Sequence, residues 1–289
     1  MGEAVSRPTV EDLTGRNSVS YSSLDTFQQC GEKFRLTRIH RVPQEEAYWN
    51  VGGKAFHLAS EWFDKGSDAS VATLWRDAWD KEMGEVDASK PLRAGGRATK
   101  QFPNKEDGTW WNLHGPTMLA DYVTWRANSG WEIFEVDGHP MVEYDFTLVL
   151  PNMVQSEDAS PNVLCVGYID RVFVNQHGEL IVVDLKTGSR EPAASTQLGV
   201  YAAGIRQRLG FNPTLGAYYM SRKGDVGGLI SLAHYTDELL SYWLSTFEDS
   251  IRSQRFLPHV TSMCQTCTVA PSCYAVGGKA PYKLPFSND

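Results

Sequence analysis

The sequence predicts a mixed α/β (α+β) fold, in which a mixed sheet is flanked by helices and preceded by a helical N-terminal part. Two observations support this prediction. Apolar residues recur at helical spacing up to about residue 130, and short β-branched runs separated by turn-forming residues follow over 141–186. The chain has 289 residues, enough for one large domain or two small ones.

The N-terminal part is predicted to contain four helices. The first covers SVSYSSLDTFQQCGEKFRLTRI, where Ser22 or Ser23 can act as the N-cap. The next two cover WNVGGKAFHLASEWFDKG and VATLWRDAWDKEMGEV, and the fourth begins a few residues inside GTWWNLHGPTMLADYVTWRANSG. Between the third and fourth, SKPLRAGGRATKQFPNKEDG is rich in Gly, Pro and basic residues and is predicted to be a loop. The polar residues 1–17 are predicted to be a flexible N-terminus.

The rest of the chain is predicted to alternate between strands and helices. MVEYDFTLVL, VLCVGYIDRVFV and ELIVVDLK have the composition of strands. AASTQLGVYAAGIRQRLG has the pattern of an amphipathic helix, and TLGAYYMS returns to strand. DELLSYWLSTFEDSIRSQRF is predicted to be the last helix, and a tail with three cysteines follows it.

The net charge of −8 argues against a protein that coats nucleic acid, but it does not exclude a nuclease. A metal-dependent nuclease concentrates carboxylates at its metal site while its basic residues gather elsewhere. Two local basic groups exist, and each is either a solvated face or a nucleic-acid contact: Lys33, Arg35, Arg38 and Arg41, and Arg93, Arg97, Lys100 and Lys105. The aromatic side chains Trp110, Trp111 and Trp125 can stack on bases or belong to the core.

The sequence contains no apolar run long enough to span a membrane and no pattern typical of a signal peptide. We therefore expect a cytoplasmic protein. In that reducing compartment, clustered cysteines bind metal more often than they form disulfides.

The segment VGYIDRVFVNQHGELIVVDLKTG predicts a hairpin that presents two carboxylates. Two strand-like runs flank the turn Asn175–Gly178, and the midpoint of positions 170 and 184 is 177, inside that turn. A simple hairpin thus places Asp170 opposite Asp184, with Cβ atoms roughly 5 Å apart, and Lys186 on the same face. Opposed like charges destabilise a sheet unless a cation bridges them. The alternative is an edge strand that ends in a surface ion pair between Asp184 and Lys186.

Two helical pairs add to this pattern, although each is a weak signal alone. His57 and Glu61 are four residues apart and share a helix face, as do Gln197 and Tyr201 just after the hairpin.

Together these residues resemble the RecB-type branch of the PD-(D/E)XK nuclease superfamily. That branch has a helix with His, then G-x-x-D, D-x-K-T-G and Q-x-x-x-Y. The chain has, in this order, His57, Gly167 to Asp170, Asp184 to Gly188, and Gln197 to Tyr201. The opening SVSYSSLDTFQQCGEKF is similar to the family's S-x-S-x-L…C-P-x-(K/R)-(F/Y) start, with Gly31 where Pro is common.

The resemblance implies a PD-(D/E)XK restriction-endonuclease-like core that binds Mn²⁺ or Mg²⁺. Its ligands would be His57, Asp170, Asp184 and the backbone carbonyl of Leu185. Carboxylate oxygens suit either ion, and the imidazole favours Mn²⁺. Lys186 would orient or deprotonate the attacking water, and Gln197 and Tyr201 would hold Lys186 and the phosphate backbone. Glu61 would support a ligand, bind a second metal, or only pair with a surface lysine.

The chain has five cysteines, and the last three form a C-x2-C-x5-C tail: Cys30, Cys165, Cys264, Cys267 and Cys273. Cys165 alternates within a strand-like run and is predicted to be a core residue. Spacing alone fits a Zn²⁺ site and an iron–sulfur cluster equally. The resemblance to the iron–sulfur branch, which includes the CRISPR-associated exonucleases and AddB, favours a [4Fe–4S] cluster on the other four. It would be a structural clip that joins the N- and C-terminal regions around the nuclease core.

The resemblance implies a metal-dependent DNA exonuclease that acts on single strands or strand ends in recombination, repair or replication. The alternatives are a structure-selective endonuclease and a non-catalytic DNA-binding or assembly subunit of a repair or CRISPR-adaptation complex. No helicase P-loop is present, so unwinding would need a helicase or recombination partner. A lone nuclease domain also fits a phage-encoded protein that works in the host cytoplasm.

The predicted domain covers 18–289, with a helical part at 18–130, a nuclease core at 131–255 and an iron–sulfur tail at 256–289.

Overall fold

The computed structural model describes residues 7–154 and 158–278. Residues 1–6 of the predicted flexible N-terminus and 279–289 of the predicted tail lie outside the described residues. The α-helices are α1 (Val10–Thr14), α2 (Tyr21–Gln29), α3 (Gly31–Phe34), α4 (Tyr48–Asp64), α5 (Val71–Gly84), α6 (Gly108–Asn128), α7 (Thr196–Leu209) and α8 (Asp237–Arg252). The strands are β1 (Val19–Ser20), β2 (Glu132–Ile133), β3 (Glu135–Val136), β4 (His139–Pro140), β5 (Val142–Pro151), β6 (Asn162–Val174), β7 (Leu180–Lys186), β8 (Leu215–Met220), β9 (Asp225–Val226) and β10 (Ile230–Ser231).

The predicted mixed α/β fold is confirmed, and the longer elements lie where the sequence placed them. The helices α4, α5, α7 and α8 and the strands β5 to β8 each match a predicted run. The fourth predicted helix begins earlier than expected, because Asp107 caps the backbone N–H of Trp110 and α6 therefore starts at Gly108. Part of the segment predicted to be flexible is helical. A capping box between Thr9 and Asp12 begins α1, and Gly15, in the left-handed conformation, ends it.

The first predicted helix is wrong as a single element. Ser20, not Ser22 or Ser23, caps α2, through a reciprocal capping box with Ser23. Cys30 is extended, with φ −168° and ψ 116°, so it separates α2 from α3. A π-helical turn then covers Arg35–Ile39. Helical periodicity continues across the break, and the sequence pattern therefore did not reveal it.

The chain divides into two compact units. Unit 1 comprises Met1–Glu45, Thr147–Gly167 and Tyr235–Asp289, and unit 2 comprises Glu46–Phe146 and Tyr168–His234. The strands β5 and β6 contribute residues to both units. No helix of the described residues is long and apolar enough to cross a membrane.

Unit 2 packs α4, α5 and α6 on strands of the sheet. In this unit β7 pairs antiparallel with β6 and parallel with β8, and α7 connects β7 to β8. Bulky aromatic side chains fill the space between helices and sheet: Phe56, Trp75, Trp111, Tyr122, Phe173 and Tyr219. Two glycines permit this packing, because a Cβ at Gly52 would overlap the Trp111 ring and one at Gly115 would overlap Trp75. Trp111 is therefore a core residue and is not available to stack on bases.

Unit 1 has an aromatic core built from α2, α3, α8 and the segment after α8. Its rings are Phe27, Phe34, Phe247 and Phe256. Within this unit β1 pairs in parallel with β6, with Val19 opposite Cys165. Cys165 is fully buried there, as predicted for a core residue.

Candidate metal centre

The β6–β7 hairpin has the predicted register. Arg171 lies opposite Val183 and Val174 opposite Leu180, so the next pair along is Asp170 and Asp184. The turn closes through hydrogen bonds between Asn175 and Glu179 and from Gly178 to Asn175. Both aspartates are buried, and the Asp170 carboxylate accepts a hydrogen bond of 2.8 Å from the backbone N–H of Leu185. The register therefore agrees with the prediction that the two carboxylates lie opposite each other, one step beyond the last recorded pair.

Three side chains of unit 2 converge to form a group that could hold a metal ion. Ligand atoms of His57 on α4, Glu143 on β5 and Asp170 on β6 all lie within 4.8 Å of one another. Nδ1 of His57 lies 3.5 Å from Glu143 Oε1 and 3.5 Å from Asp170 Oδ2. Nε2 lies 2.9 Å from the carbonyl oxygen of Leu185. One imidazole and two carboxylates form a donor set that suits Mn²⁺ or Mg²⁺.

Glu143 is the member of this group that sequence reasoning missed. It lies at the start of β5 and has φ +49°, a left-handed conformation that costs a non-glycine residue about 1–3 kcal/mol. It is bound on one side by His57 and on the other by Arg171. The sequence offers no signal for it, because Glu143 sits among the polar residues that alternate along any strand with one exposed face.

The Asp184 carboxylate is next to the ligand group and contacts a lysine. Lys186 Nζ forms an ion pair with Asp184 Oδ2 at 2.6 Å. The same ammonium donates a hydrogen bond of 2.9 Å to Gln197 Oε1. Gln197 Nε2 in turn donates to the Tyr201 hydroxyl at 2.7 Å. The predicted D-x-K and Q-x-x-x-Y residues thus form one chain of contacts from β7 to α7.

The electrostatics of the group favour an added cation. Burial lowers the pKa of His57, but the carboxylates of Asp170 and Glu143 outweigh it and raise that pKa to about 9. Burial and the nearby Asp170 carboxylate raise the pKa of Asp184 to about 7, against the opposing effect of Lys186. Near neutral pH the His57 imidazole is therefore protonated and the Asp184 carboxyl is partly protonated, and a divalent ion would replace these protons.

A buried arginine supports the group and was not predicted. Arg171 follows Asp170 and points to the other face of β6, where it is fully buried. It donates hydrogen bonds to Asp64 Oδ2 at 2.6 Å and Glu143 Oε1 at 3.2 Å, and another to Ser60. An arginine within an apolar strand indicates a buried partner, and Asp64, seven residues after His57 on α4, is that partner.

The group opens onto a cavity of approximately 520 Å³. His57, Glu143, Leu185 and Lys186 line it, together with Lys54, Glu61 and Glu82. Glu61 forms an ion pair with Lys65 at 2.6 Å and is not part of the ligand group. The contact with Lys65 agrees with the surface-partner alternative for Glu61.

The four cysteines with predicted ligand roles all belong to unit 1. Cys30 Sγ accepts a hydrogen bond of 3.3 Å from the His259 N–H, and Cys264 Sγ lies 3.9 Å from the His259 carbonyl. Cys267 and Cys273 pack against Leu36, Val42 and Val269. Burial raises the pKa of the Cys273 thiol, and Cys30 is among its charged neighbours. In the part of the chain that the structure describes, no three cysteine sulfurs lie within 4.8 Å of one another.

Comparison with known proteins gives a family match and two viral relatives. The model of the PD-(D/E)XK nuclease superfamily matches residues 18–274. The Gene 69 protein of Mycobacterium phage D29 is 29% identical over 276 residues, covering 88% of this chain and 95% of that protein. The Gene 69 protein of Mycobacterium phage L5 is 25% identical, with the same coverage. A solved structure from Eubacterium rectale aligns with 86% of this chain and 86% of its own chain at 11% identity, with a TM-score of 0.44.

Proposed function

Because the chain belongs to the PD-(D/E)XK nuclease superfamily, we propose that it is a metal-dependent DNA exonuclease that acts on single strands or strand ends. The observation that supports this most is the position of the candidate metal group. His57, Glu143 and Asp170 lie beside the contact between Asp184 and Lys186, and His57, Glu143 and Lys186 line one open cavity. A chain that only binds DNA has no use for a buried acidic pair with a lysine beside it.

Mn²⁺ or Mg²⁺ would be held by Asp170, Asp184, Glu143 and His57. The carbonyl of Leu185, predicted as a further ligand, accepts from His57 Nε2 when that nitrogen carries a proton. This contact leaves Nδ1 facing the carboxylates, an arrangement typical of metal-binding histidines, whose other nitrogen donates to a carbonyl or carboxylate. A divalent ion supplies Lewis-acid stabilisation of the charge that develops on the phosphoryl oxygens.

Lys186 would stabilise negative charge on the phosphate and position the attacking water. Gln197 holds its ammonium at 2.9 Å, and Tyr201 holds Gln197, so the charge has a fixed position at the mouth of the cavity. A pre-positioned cation costs no reorganisation when negative charge develops on the phosphate. From there Lys186 can orient the attacking water.

End-labelled DNA tests this proposal. Single- and double-stranded oligonucleotides carrying a 5′ or a 3′ label are incubated with Mn²⁺, Mg²⁺ or EDTA. We expect stepwise shortening from one end with Mn²⁺ or Mg²⁺ and none with EDTA. Internal cuts in circular single-stranded DNA would replace the exonuclease by the endonuclease alternative. Intact DNA under every metal condition would contradict both.

We further propose that Cys30, Cys264, Cys267 and Cys273 hold a [4Fe–4S] cluster. Four thiolates can bind either a tetrahedral zinc ion or a [4Fe–4S] cluster, and the resemblance to the iron–sulfur branch favours the cluster. The contacts of Cys30 and Cys264 with His259, and of Cys267 and Cys273 with one apolar cluster, support a shared site in unit 1.

Metal analysis distinguishes cluster from zinc. Anaerobically purified protein is expected to be brown, to contain about four iron atoms per chain and to bleach with dithionite. Cys30→Ser is expected to lose iron. Cys165→Ala should keep it, because Cys165 is a buried thiol of β6 whose pKa burial raises to about 12. Colourless protein with one zinc per chain would support the zinc alternative and overturn the cluster.

The likeness to two mycobacteriophage proteins supports a phage origin. In that setting the protein would meet its DNA in the host cytoplasm, and a helicase or recombination partner would supply unwound strands.

A further inference from the structure

A second cavity, of approximately 300 Å³, lies in unit 1 among the N-terminal helices. Among the residues that the structure describes, its charged lining consists of Arg16, Arg38 and Arg41, with no Asp or Glu. Around the arginines are five residues with hydroxyl groups, Thr14, Ser18, Ser20, Ser23 and Thr37, and apolar side chains complete the lining. We call this the arginine cavity. A concentration of positive charge in a chain of net charge −8 is a local feature that needs a cause.

Within the described residues, the charge of the arginine cavity is not balanced by an ion pair. Among the residues that the structure describes, no carboxylate forms an ion pair with Arg16, Arg38 or Arg41. Arg16 and Arg38 line the same cavity, and partial burial together with the charge of Arg16 lowers the pKa of Arg38, so the two guanidinium groups repel each other. Like charges around a cavity are stabilised by an anion within it.

The other basic residues of the same segment are used differently. Arg35 is buried and pairs with Glu32 at 2.7 Å, and Lys33 donates to Gln29. Of the basic group predicted from the sequence, only Arg38 and Arg41 line the cavity, where Arg16 joins them. The basic residues of this segment therefore have two roles: some make contacts within the protein, and others line the cavity. The sequence alone does not distinguish the two roles.

Two unusual backbone conformations hold the arginines at the cavity. The π-helical turn Arg35–Ile39 brings Thr37 and Arg38 to its wall, and such turns are frequent at functional sites. Arg41 has φ +50°, which is unfavourable for a residue with a side chain. Its guanidinium donates to the carbonyl of Thr14 at 2.7 Å, which fixes it against α1. The π-helical turn and the left-handed Arg41 thus each place an arginine at the same cavity.

We propose that the arginine cavity binds a phosphate group of a nucleic-acid strand, at a site separate from the metal centre. Planar guanidinium groups match phosphate oxygens in a two-pronged geometry, and serine and threonine hydroxyls commonly add contacts to the same oxygens. The apolar part of the lining offers a surface to the sugar or base of that nucleotide. The proposal rests on the proposed function in one respect, that the substrate is a nucleic acid.

The test is strand binding without cleavage. A fluorescent single-stranded oligonucleotide is titrated with wild-type protein and with the Arg16→Gln and Arg38→Gln variants in EDTA, at several salt concentrations. Arg76→Gln is the matched control, because Arg76 is exposed on α5 and its ion pair is with the neighbouring Asp77. Unfolding midpoints equal to that of the wild type show that the variants are folded, as expected for exposed side chains.

We expect each cavity variant to weaken oligonucleotide binding by about 10-fold, the loss of one charge-assisted contact. The slope of log affinity against log salt should fall by about 0.7 for each lost phosphate contact on a single strand. Arg76→Gln should change neither quantity. Equal binding and equal slopes for all four proteins would overturn the proposal.

A second arm separates the two sources of phosphate. If deoxyadenosine 5′-monophosphate binds the wild type, fails to bind Arg38→Gln, and oligonucleotide affinity is unchanged, the cavity takes free nucleotide and the strand proposal is wrong. Because binding is measured in EDTA, it does not depend on the nuclease proposal. If the wild type cleaves DNA and the cavity variants bind the oligonucleotide as tightly as it does, only the arginine-cavity proposal is refuted. If the variants bind more weakly but the wild type shows no metal-dependent cleavage, only the nuclease proposal is refuted.

Discussion

At the scale of single residues, Glu143 changes the predicted metal site most. The sequence motifs supply His57, Asp170 and Asp184, but the group that converges in the structure is His57, Glu143 and Asp170. Glu143 occupies a strained left-handed conformation, and Arg171 and His57 hold its carboxylate. Strain of this kind persists where the surroundings fix a side chain for a task.

Glu143→Gln tests this role, because the amide keeps the shape and loses the charge. We expect Mn²⁺ affinity to fall roughly 10- to 100-fold, with a parallel loss of DNA cleavage. Titration calorimetry measures the affinity, and Glu82→Gln is the control, since Glu82 lines the same cavity but pairs with Lys54. Equal metal affinity in Glu143→Gln and wild type would remove Glu143 from the ligand set.

The protons of the metal-free site give a second prediction. The pKa of His57 is raised to about 9 and that of Asp184 to about 7, so near neutral pH His57 is charged and Asp184 is partly protonated. A metal ion needs the neutral imidazole and the carboxylate, and its binding must therefore release protons. Calorimetry in buffers of different ionisation enthalpy should show proton release near neutral pH that declines above the His57 pKa. Metal binding that releases no proton at neutral pH would contradict these assignments.

At the scale of elements, α4 and the β6–β7 hairpin are joined by a buried ionic network. Arg171 on β6 pairs with Asp64 on α4, and Asp64 also accepts from Arg126 and from the Tyr122 hydroxyl. These contacts fix α4 against the sheet, and His57 lies on that same helix. The position of His57 thus depends on the Arg171–Asp64 ion pair, whose two residues are not members of the candidate metal group.

Arg171→Met should destabilise the protein by about 3–5 kcal/mol, because it leaves buried carboxylates without their partner. The comparison is Arg76→Met, an exposed substitution expected to cost within about 0.5 kcal/mol. Urea unfolding followed by tryptophan fluorescence measures both. If the two variants unfold at the same urea concentration, the buried network contributes nothing to stability.

The break between α2 and α3 is the second feature at this scale. The extended Cys30 turns its thiol toward His259, and Gly31 lets the chain approach the backbone of Leu257, to whose carbonyl it donates at 3.0 Å. A Cβ on Gly31 would lie 2.9 Å from the Leu257 nitrogen and oxygen. This contact gives a physical reason for glycine where the related motif commonly has proline, which lacks the N–H.

Gly31→Ala should therefore destabilise unit 1 by about 1–3 kcal/mol and lower the iron content of the purified protein. Gly84→Ala is the matched control, because a Cβ there meets nothing within 4 Å and alanine favours the helix by about 0.5–1 kcal/mol. Thermal unfolding and iron analysis report the two effects. A Gly31→Ala variant as stable and as rich in iron as the control would show that the close approach is dispensable.

At the scale of the whole molecule, the sequence predicts what depends on local pattern. Alternation and turn residues predicted the hairpin and its register, and helical spacing predicted α4, α5 and α7. What it missed depends on residues far apart in the chain. Glu143, the Arg171–Asp64 pair and the arginine cavity are brought together by the fold, and no spacing rule links them. The helix break at Cys30 was missed for the opposite reason, since its local pattern is helical on both sides.

The two chemistries proposed for this chain rest on residues of different units. The residues of the candidate metal group belong to unit 2, and the four proposed cluster cysteines belong to unit 1. Substitutions at the cysteines are therefore expected to act on iron content and stability, and substitutions at the metal group on cleavage.

DNA degradation by site variants tests the central claim most directly. Wild type, Asp184→Asn, Lys186→Ala and Lys54→Ala are compared on end-labelled single-stranded DNA with Mn²⁺. Lys54 is the control, because it lines the same cavity but its side chain is exposed. Its ion pair is with Glu82, at 3.7 Å, and not with a residue of the metal group. We predict that Asp184→Asn and Lys186→Ala lose cleavage by about 10²-fold or more while they stay folded, and that Lys54→Ala retains most of it. Undiminished Mn²⁺-dependent cleavage in folded Asp184→Asn and Lys186→Ala proteins would contradict the proposed site.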